Sequence, residues 1–307
     1  NSFYDTLVEP NRDGKLVPAL AESWEVSEDK LTWTFRLRKG VTFHDGTPFT
    51  SADVKATFER IVDPEIASPK ATEFVAIETI TTPDDYTVVF ELSEPYAPLL
   101  ASMASGWGAI LPKKLIESGH DFGSNPVGTG PFTMKEWIRD NKVVLEKNED
   151  YWMDGVPKVD FVELQVIPEQ AVQVQGLLSG QVDIIYTVGE TDIPMIKDNA
   201  STKLEQSMSS LAMVMGINCE REYLDNVKLR QALNFAIDRQ TVLDIAYGGG
   251  VPIATFMDVE DPYYVDLTDK YYFDPAKAKR MIQEVGLPSD AVFEMALPQN
   301  YAPHVKA

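Results

Sequence analysis

The sequence of 307 residues is short of cysteine, histidine and long apolar runs, and each shortage narrows what the protein can be. Cys219 is the only cysteine, so no disulfide within the chain is possible and the redox compartment is left undecided. The three histidines, His44, His120 and His304, lie far apart, and no His/Cys spacing of a metal site occurs. No run of about 18 apolar residues is present. We therefore expect no membrane-spanning helix, no metal and no cofactor.

Motifs of the common hydrolases are also missing. Neither a Gly-x-Ser-x-Gly nucleophile turn nor a His-Glu-x-x-His zinc motif occurs. The pair His44-Asp45 suggests catalysis, but a structural hydrogen bond is a sufficient reason for a histidine in that turn. A hydrolase that uses two carboxylates, such as a glycosidase, stays open as an alternative, supported only by the abundance of acidic residues. We expect no catalytic residues.

Charge is strongly one-sided, because 48 acidic residues face 27 basic ones and leave a net charge of −21. Such a field repels phosphate backbones, so nucleic-acid binding is not expected. The acidic loop between residues 258 and 269 lacks the ligand spacing of an EF-hand, and we interpret it as solvated. With 44% hydrophobic residues, the chain is long enough for about two globular domains.

Strands and short helices are predicted for the first part of the chain. Apolar and polar residues alternate over Leu31–Arg38, which is typical of a strand with one buried face. After a turn at Asp45-Gly46, Thr50 and Asp53 have the spacing of a capping box and predict a helix over 51–62. A further strand is predicted over 86–92, and an apolar segment follows at 98–103.

The pattern then changes to strand, helix, strand. A strand over 162–166, a helix closed by Gly180 and an apolar strand over 182–186 predict a parallel pair with a right-handed crossover. Farther on, a helix is predicted over 224–239, and the triple glycine 248–250 marks a break. A last helix begins at Asp274-Pro275 and ends before Gly286.

Three stretches carry a resemblance to a known family. The sequence closely resembles the extracellular solute-binding proteins of ABC importers in three places. These are residues 16–54, LLSGQVDII at 177–185 and LDNVKLRQALNFAIDR at 224–239. Among those proteins, the chain is similar to the cluster that binds peptides, nickel chelates and some oligosaccharides. The resemblance implies a receptor that captures a ligand and does not transform it.

The same resemblance implies an architecture and a location. The expected fold is α/β with two lobes, of the class II periplasmic-binding type, with a subdomain inserted into the first lobe. We expect residues 1–5 and 131–248 to form the core of the first lobe, 6–130 the inserted subdomain and 249–307 the beginning of the second lobe. Compared with the family, the chain looks incomplete at both ends, and no signal peptide is visible. A monomer outside the cytoplasm, in the periplasm or lipid-anchored, is implied.

The loop Gly128-Thr129-Gly130-Pro131-Phe132 is the first candidate for the binding site. It lacks the lysine of a phosphate-binding loop, and Pro131 removes a backbone donor. Two interpretations are open: a turn that joins subdomain and core, or a backbone that glycine allows to approach a ligand, with Thr129 offering a hydroxyl. The resemblance places this loop at the edge of a cleft. Gly128, Thr129, Gly130 and Phe132 are therefore predicted ligand contacts.

Three further residues complete the predicted site. Trp107 is one of five tryptophans and the one flanked by glycines, which favours a stacking platform over a core residue. Met213, in the segment 209–213 before a predicted strand over 214–218, offers an adaptable apolar surface where relatives have aromatic residues. Tyr4 resembles an aromatic residue near the cleft in relatives. Ordinary packing is the alternative for each of them.

The implied partners are a small solute and the permease subunits of an importer. A short peptide is the favoured ligand, because backbone donors and adaptable pockets suit variable side chains. An oligosaccharide is the second choice, favoured if Trp107 stacks on a sugar ring, and a metal chelate the third. A chemosensory or adhesion module on the same fold is an alternative that the sequence leaves open.

Overall fold

The structure is a computed structural model that describes residues 2–207, 212–257, 259–261 and 263–296. The chain divides into two compact units, one up to Ile167 and one from Pro168 onward. Each unit is described by itself. The predicted lobe boundaries at 130/131 and 248/249 remain predictions.

Over its described residues, 2–167, the first unit contains three antiparallel sheets. Its smallest sheet pairs β1 (Val8–Pro10) with β2 (Leu16–Pro18). The central sheet consists of β3 (Ala21–Val26), β4 (Thr32–Leu37), β5 (Ile77–Asp84) and β6 (Thr87–Leu92), in the order β3-β4-β6-β5. The third sheet runs in chain order through β7 (Phe132–Ile138), β8 (Lys142–Lys147) and β9 (Phe161–Gln165). Helices α1 (Ser51–Val62), α2 (Leu99–Met103) and α3 (Lys113–Glu117) belong to the same unit.

The core of this unit lies between α1 and the central sheet. Alternation in β4 buries Trp33, Phe35 and Leu37 on one face, as predicted. The ring of Phe90 lies edge-on to Phe35 and to Phe58 of α1, with ring centres 5.6 and 5.2 Å apart. Large buried rings of this kind contribute most of a core's stabilisation because each removes a large apolar area from water.

Helix α1 begins and ends where the sequence predicts. Its N-terminus carries the predicted capping box, in which the Asp53 carboxylate accepts the backbone N–H of Thr50 at 2.8 Å. Asp53 also accepts the backbone N–H of Lys113 at 2.8 Å, which fastens the start of α3 to the start of α1.

The second unit is helical in its described part. It contains α4 (Gln170–Ser179), α5 (Ile193–Asp198), α6 (Val227–Ala236), α7 (Arg239–Tyr247) and α8 (Pro275–Val285). Helix α6 packs on α8, and the Asp274 side chain caps α8 through the backbone N–H of Lys277 at 2.8 Å, as predicted. Gly286 follows with a φ of 72°, which confirms glycine as the stop.

Three predictions for the later part of the chain are wrong. Residues 182–186 and 214–218 form no strand, and Ile184 and Tyr186 are almost fully exposed. A short apolar run becomes a strand only where a neighbour pairs with its backbone, and no described strand does so here. Strand β9 pairs instead with β8, antiparallel, so the expected parallel pair is not formed.

The helix predicted over 224–239 is shorter in the structure, where α6 covers Val227–Ala236, and a helix that was not predicted begins at Arg239. Ile237 is extended, and the side chain of Asp238 accepts the backbone N–H of Thr241 at 3.2 Å, so it caps a new helix, α7. Aspartate favours such a cap over a helix interior because its short side chain bonds to nearby backbone groups. At the end of α7, Gly248, Gly249 and Gly250 all have positive φ, which is why glycine stands at all three positions.

Candidate functional site

The loop 128–132 packs against the first residues of the chain. The backbone N–H of Gly130 donates to the Phe3 carbonyl, and that of Phe132 donates to the Ser2 carbonyl, both at 3.0 Å. A Cβ added at Gly128 would lie 2.2 Å from the Phe3 oxygen, and one at Gly130 would lie 2.5 Å from the Phe3 carbonyl carbon. Both glycines are therefore required by a close approach of the chain's own backbone, and their approach to a ligand stays a prediction.

The Asp5 carboxylate, next to this loop, accepts hydrogen bonds from three side chains. It accepts the Thr129 hydroxyl at 2.9 Å, the Trp152 indole N–H at 3.0 Å and the Tyr151 hydroxyl at 3.2 Å. Asp5 is 7% exposed and Thr129 1% exposed. The hydroxyl that the sequence suggested for a ligand is thus engaged by Asp5 in this structure, and its contact with a ligand stays a prediction.

Burial, and then the charge and hydrogen bond of Asp5, raise the pKa of Tyr151 well above its usual range. The pKa of Glu9 is raised too, first by burial and then by the nearby charge of Asp5. Asp5, Tyr151 and Trp152 were not identified from the sequence as site residues. The available signal was a pair of aromatic residues with polar tips, Tyr151-Trp152, which need buried hydrogen-bond partners.

The imidazole of His44 bridges the two glycines. Its Nδ1 accepts the backbone N–H of Gly128 at 3.3 Å, and its Nε2 lies 2.9 Å from the Gly130 carbonyl oxygen. A ring nitrogen that accepts is unprotonated, so this geometry assigns a neutral ring that carries its proton on Nε2. Asn148 supports the same carbonyl, donating from Nδ2 at 3.0 Å. The structural role expected for His44 agrees with this arrangement.

This arrangement makes the stability of the first unit dependent on pH. Burial lowers the pKa of His44 below its ordinary value of 6.5, against the opposing charges of Asp5 and Asp45. As pH falls through about 6.5, the unfolded chain takes up a proton that the folded chain refuses, so the free energy of unfolding decreases. Above that pH the contribution of the neutral ring is complete.

We expect the wild-type unfolding free energy to fall between about pH 7.5 and pH 5.5, and to fall less in His44→Gln. Denaturant titrations at the two pH values measure the difference, in which other titrating groups cancel. His120→Gln serves as the control, since that ring makes local contacts at the surface, with the Asn125 carbonyl oxygen at 2.7 Å and edge-on with the Phe122 ring. Equal pH dependence in wild type and His44→Gln would contradict the neutral bridge.

Tyr4 lies beside the same loop. Its ring is the second group that a Cβ on Gly128 would strike, at 2.4 Å, and its hydroxyl donates to the Phe122 carbonyl at 3.3 Å. Burial raises the pKa of Tyr4 to about 12. The structure thus brings together Tyr4, Gly128, Thr129, Gly130 and the backbone of Phe132, through contacts within the protein.

Trp107 is placed on a different feature. It lies in a short 3₁₀ turn, Gly106–Gly108, and is 53% exposed. A Cβ at Gly108 would lie 2.4 Å from the Met103 carbonyl oxygen, so this glycine is required by the close approach of the end of α2. The indole lines a cavity of about 240 Å³. Among the described contacts, none joins the Trp107 side chain to the loop 128–132.

Met213 belongs to the second unit, where it is half-buried in an irregular segment, and the neighbouring Met215 is 44% exposed. Ser209, Ser210 and Leu211, which precede it in the predicted site, lie outside the described residues. The convergence of Met213 with the other predicted contacts stays a prediction. Over the described ranges, no group of three or more potential ligands could hold a metal ion. No described helix is long and apolar enough to cross a bilayer.

Comparison with known proteins identifies relatives of the chain. The family described as bacterial extracellular solute-binding proteins, family 5, matches residues 15–307. The glutathione-binding protein GsiB of Pectobacterium atrosepticum is 32% identical over 292 residues, which cover 94% of this chain and 56% of that protein. GsiB of Salmonella typhimurium is 31% identical over 288 residues, with the same coverage. The chain therefore spans about half the length of the curated relatives it matches.

Solved structures agree with these sequence matches. AgaA of Agrobacterium tumefaciens R10, in complex with agropinic acid, is 33% identical and has a TM-score of 0.85 over 99% of this chain and 62% of AgaA. DppA of Helicobacter pylori, in complex with the peptide STSA, is 29% identical, with a TM-score of 0.80 over 93% of this chain and 60% of DppA. The predicted α/β fold is confirmed by these similarities.

Proposed function

The chain belongs to the bacterial extracellular solute-binding proteins, family 5, and on that basis we propose that the whole protein is the receptor of an ABC-type importer. The observation that carries this proposal is the similarity to AgaA, a binding protein holding a small organic ligand, over nearly the whole chain. The ligand would be bound between two lobes, and closure would follow the higher affinity of the closed state.

A short peptide is the ligand class that we propose. Two of the relatives support it, since one is named for glutathione, a small peptide, and another holds the peptide STSA. An oligosaccharide is the second candidate, favoured by the exposed indole of Trp107. Delivery to permease subunits, action as a monomer and a location outside the cytoplasm complete the proposal.

The predicted contacts take different parts in it. Trp107 and Met213 offer apolar surface to a ligand, because neither is fully buried. The wall behind the ligand would be formed by Gly128, Thr129, Gly130, Phe132 and Tyr4. Contacts with residues 2–5 would hold the loop of this wall in place. The proposed binding role needs no catalytic group, and the buried carboxylate beside the loop, Asp5, is engaged by three donors.

A thermal-shift screen of the full-length protein tests the function. We expect a library of di- to pentapeptides to contain compounds that raise the melting temperature, by an amount that grows with ligand concentration. Oligosaccharides and metal chelates form the comparison sets. Mass spectrometry of the same samples should recover the bound peptide unchanged; its consumption would contradict a receptor, and stabilisation by sugars alone would contradict the peptide assignment.

A further inference from the structure

The cavity beneath Trp107 lies in the first unit, between α1, the loop that follows it and the turn Gly106–Gly108. Its lining is mostly apolar: Ile61, Ile66, Pro69, Trp107, Ala109 and Leu111. Ile66 and Trp107 are 44% and 53% exposed, although the well-packed core begins at Ile61 directly below them. Two large apolar side chains therefore remain exposed to water at the mouth of the cavity, where a bound apolar group would cover them.

One cation stands among these apolar groups. Arg60, in the last turn of α1, lines the cavity and forms no ion pair with any carboxylate in the described part of the chain. No acidic residue lines the cavity. The lining therefore carries one charged side chain, a guanidinium, in a protein with a net charge of −21.

The other polar groups of the lining are already engaged. Thr57 donates its hydroxyl to the Leu111 carbonyl at 3.3 Å and accepts the Leu111 N–H at 3.0 Å, and the Ser68 hydroxyl accepts the Lys70 N–H at 3.3 Å. Arg60 is the charged group of the lining, and none of the described hydrogen bonds uses its guanidinium. A guanidinium prefers a carboxylate, which it binds through two parallel hydrogen bonds.

The wall of the cavity is fixed in place. Ala67, between the lining residues Ile66 and Ser68, has a φ of 48°, in the left-handed region that an alanine rarely adopts. On the opposite side, Gly108 holds the Trp107 turn against the Met103 carbonyl. At about 240 Å³, the cavity is smaller than the roughly 300–1,000 Å³ of a site for a whole ligand, so it suits one group of a larger one.

We propose that this cavity is a specificity pocket for an apolar or aromatic group that carries a carboxylate, with Arg60 binding the carboxylate and Trp107 and Ile66 covering the apolar part. The inference rests on the proposed receptor function and adds the chemistry of one part of the ligand. Arg60 and Trp107 are the residues that select it.

The test uses 3-phenylpropionate as the probe, with 3-phenylpropionamide as its neutral counterpart, on the full-length protein. Ligand-observed NMR should show 3-phenylpropionate binding to the wild type and about tenfold weaker binding of the amide. Arg60→Gln should weaken 3-phenylpropionate about tenfold and remove the preference for the acid. Trp107→Ala should weaken acid and amide alike, because it removes the apolar cover.

Lys55→Gln is the matched control, since it removes the same charge from the same helix and Lys55 pairs only with Glu59 at the surface, at 3.6 Å. It should leave binding of 3-phenylpropionate within about twofold of wild type. Three results would overturn the pocket: no binding of the acid, equal binding of acid and amide, or equal losses in Arg60→Gln and Lys55→Gln. Peptides that still raise the melting temperature in those cases would leave the receptor function standing.

Discussion

Gly128→Ala is expected to lower the free energy of unfolding of the first unit by about 3 kcal/mol. The added methyl group would lie 2.2 Å from the Phe3 carbonyl oxygen and 2.4 Å from the Tyr4 ring. A carbonyl held in a backbone hydrogen bond to Gly130 cannot move aside without breaking that bond. Gly130→Ala is expected to have an effect of the same size, since its methyl group would strike the same carbonyl.

Gly106→Ala is the matched control for these substitutions. A Cβ added there meets no atom within 4 Å, and the φ of Gly106 is not in the left-handed region. We expect its unfolding free energy to stay within about 1 kcal/mol of wild type. Chemical denaturation followed by tryptophan fluorescence compares the three variants, and equal stabilities would show that the first residues do not pack under the loop.

Asp5→Ala is the second large effect, with an expected loss of about 4 kcal/mol. The substitution deprives Thr129, Tyr151 and Trp152 of one shared acceptor, and Thr129 is too deeply buried to reach water instead. Asp5→Asn keeps one acceptor oxygen and should lose about half as much.

Asp13→Ala controls for the loss of one negative charge, because Asp13 is exposed in the turn between β1 and β2. Its unfolding free energy should stay within about 0.5 kcal/mol of wild type. Differential scanning calorimetry on the three variants gives the comparison. A melting temperature of Asp5→Ala equal to that of Asp13→Ala would contradict the buried network.

Local patterns predicted the elements that depend on local physics. Strand β4, helix α1 and helix α8 were found from alternation, a capping box and an Asp-Pro start with a glycine stop. The strand expected over 182–186 failed because strand formation depends on a pairing partner that composition does not reveal. Helix α7 was missed because Asp238 can cap a helix or interrupt one, and its neighbours decide which.

In the candidate site, too, the sequence indicated local features but not the contacts between distant residues. The glycines at 128 and 130 predicted a backbone close to a ligand, and the structure shows them close to the chain's own residues 2–4. No local signal says that this segment lies about 125 residues earlier. Asp5 is inconspicuous among 48 acidic residues until its partners at 129, 151 and 152 are seen. Arg60 could not be distinguished from other basic residues in the sequence, because only the structure shows that it lines a cavity and forms no ion pair with a described carboxylate.

The carboxylate of Asp5 has a consequence for how the first unit comes apart. Asp5 precedes the central sheet, its partners Tyr151 and Trp152 lie on the connection between β8 and β9, and Trp152 also packs on the main core and under Arg38, 4.5 Å from its ring centre. Unfolding of the segment before the central sheet, or of the connection between β8 and β9, would leave the Asp5 carboxylate or its donors without hydrogen-bond partners. We therefore expect the central sheet and the sheet of β7, β8 and β9 to unfold in one cooperative step. Their slowest-exchanging amides should lose protection from hydrogen exchange together.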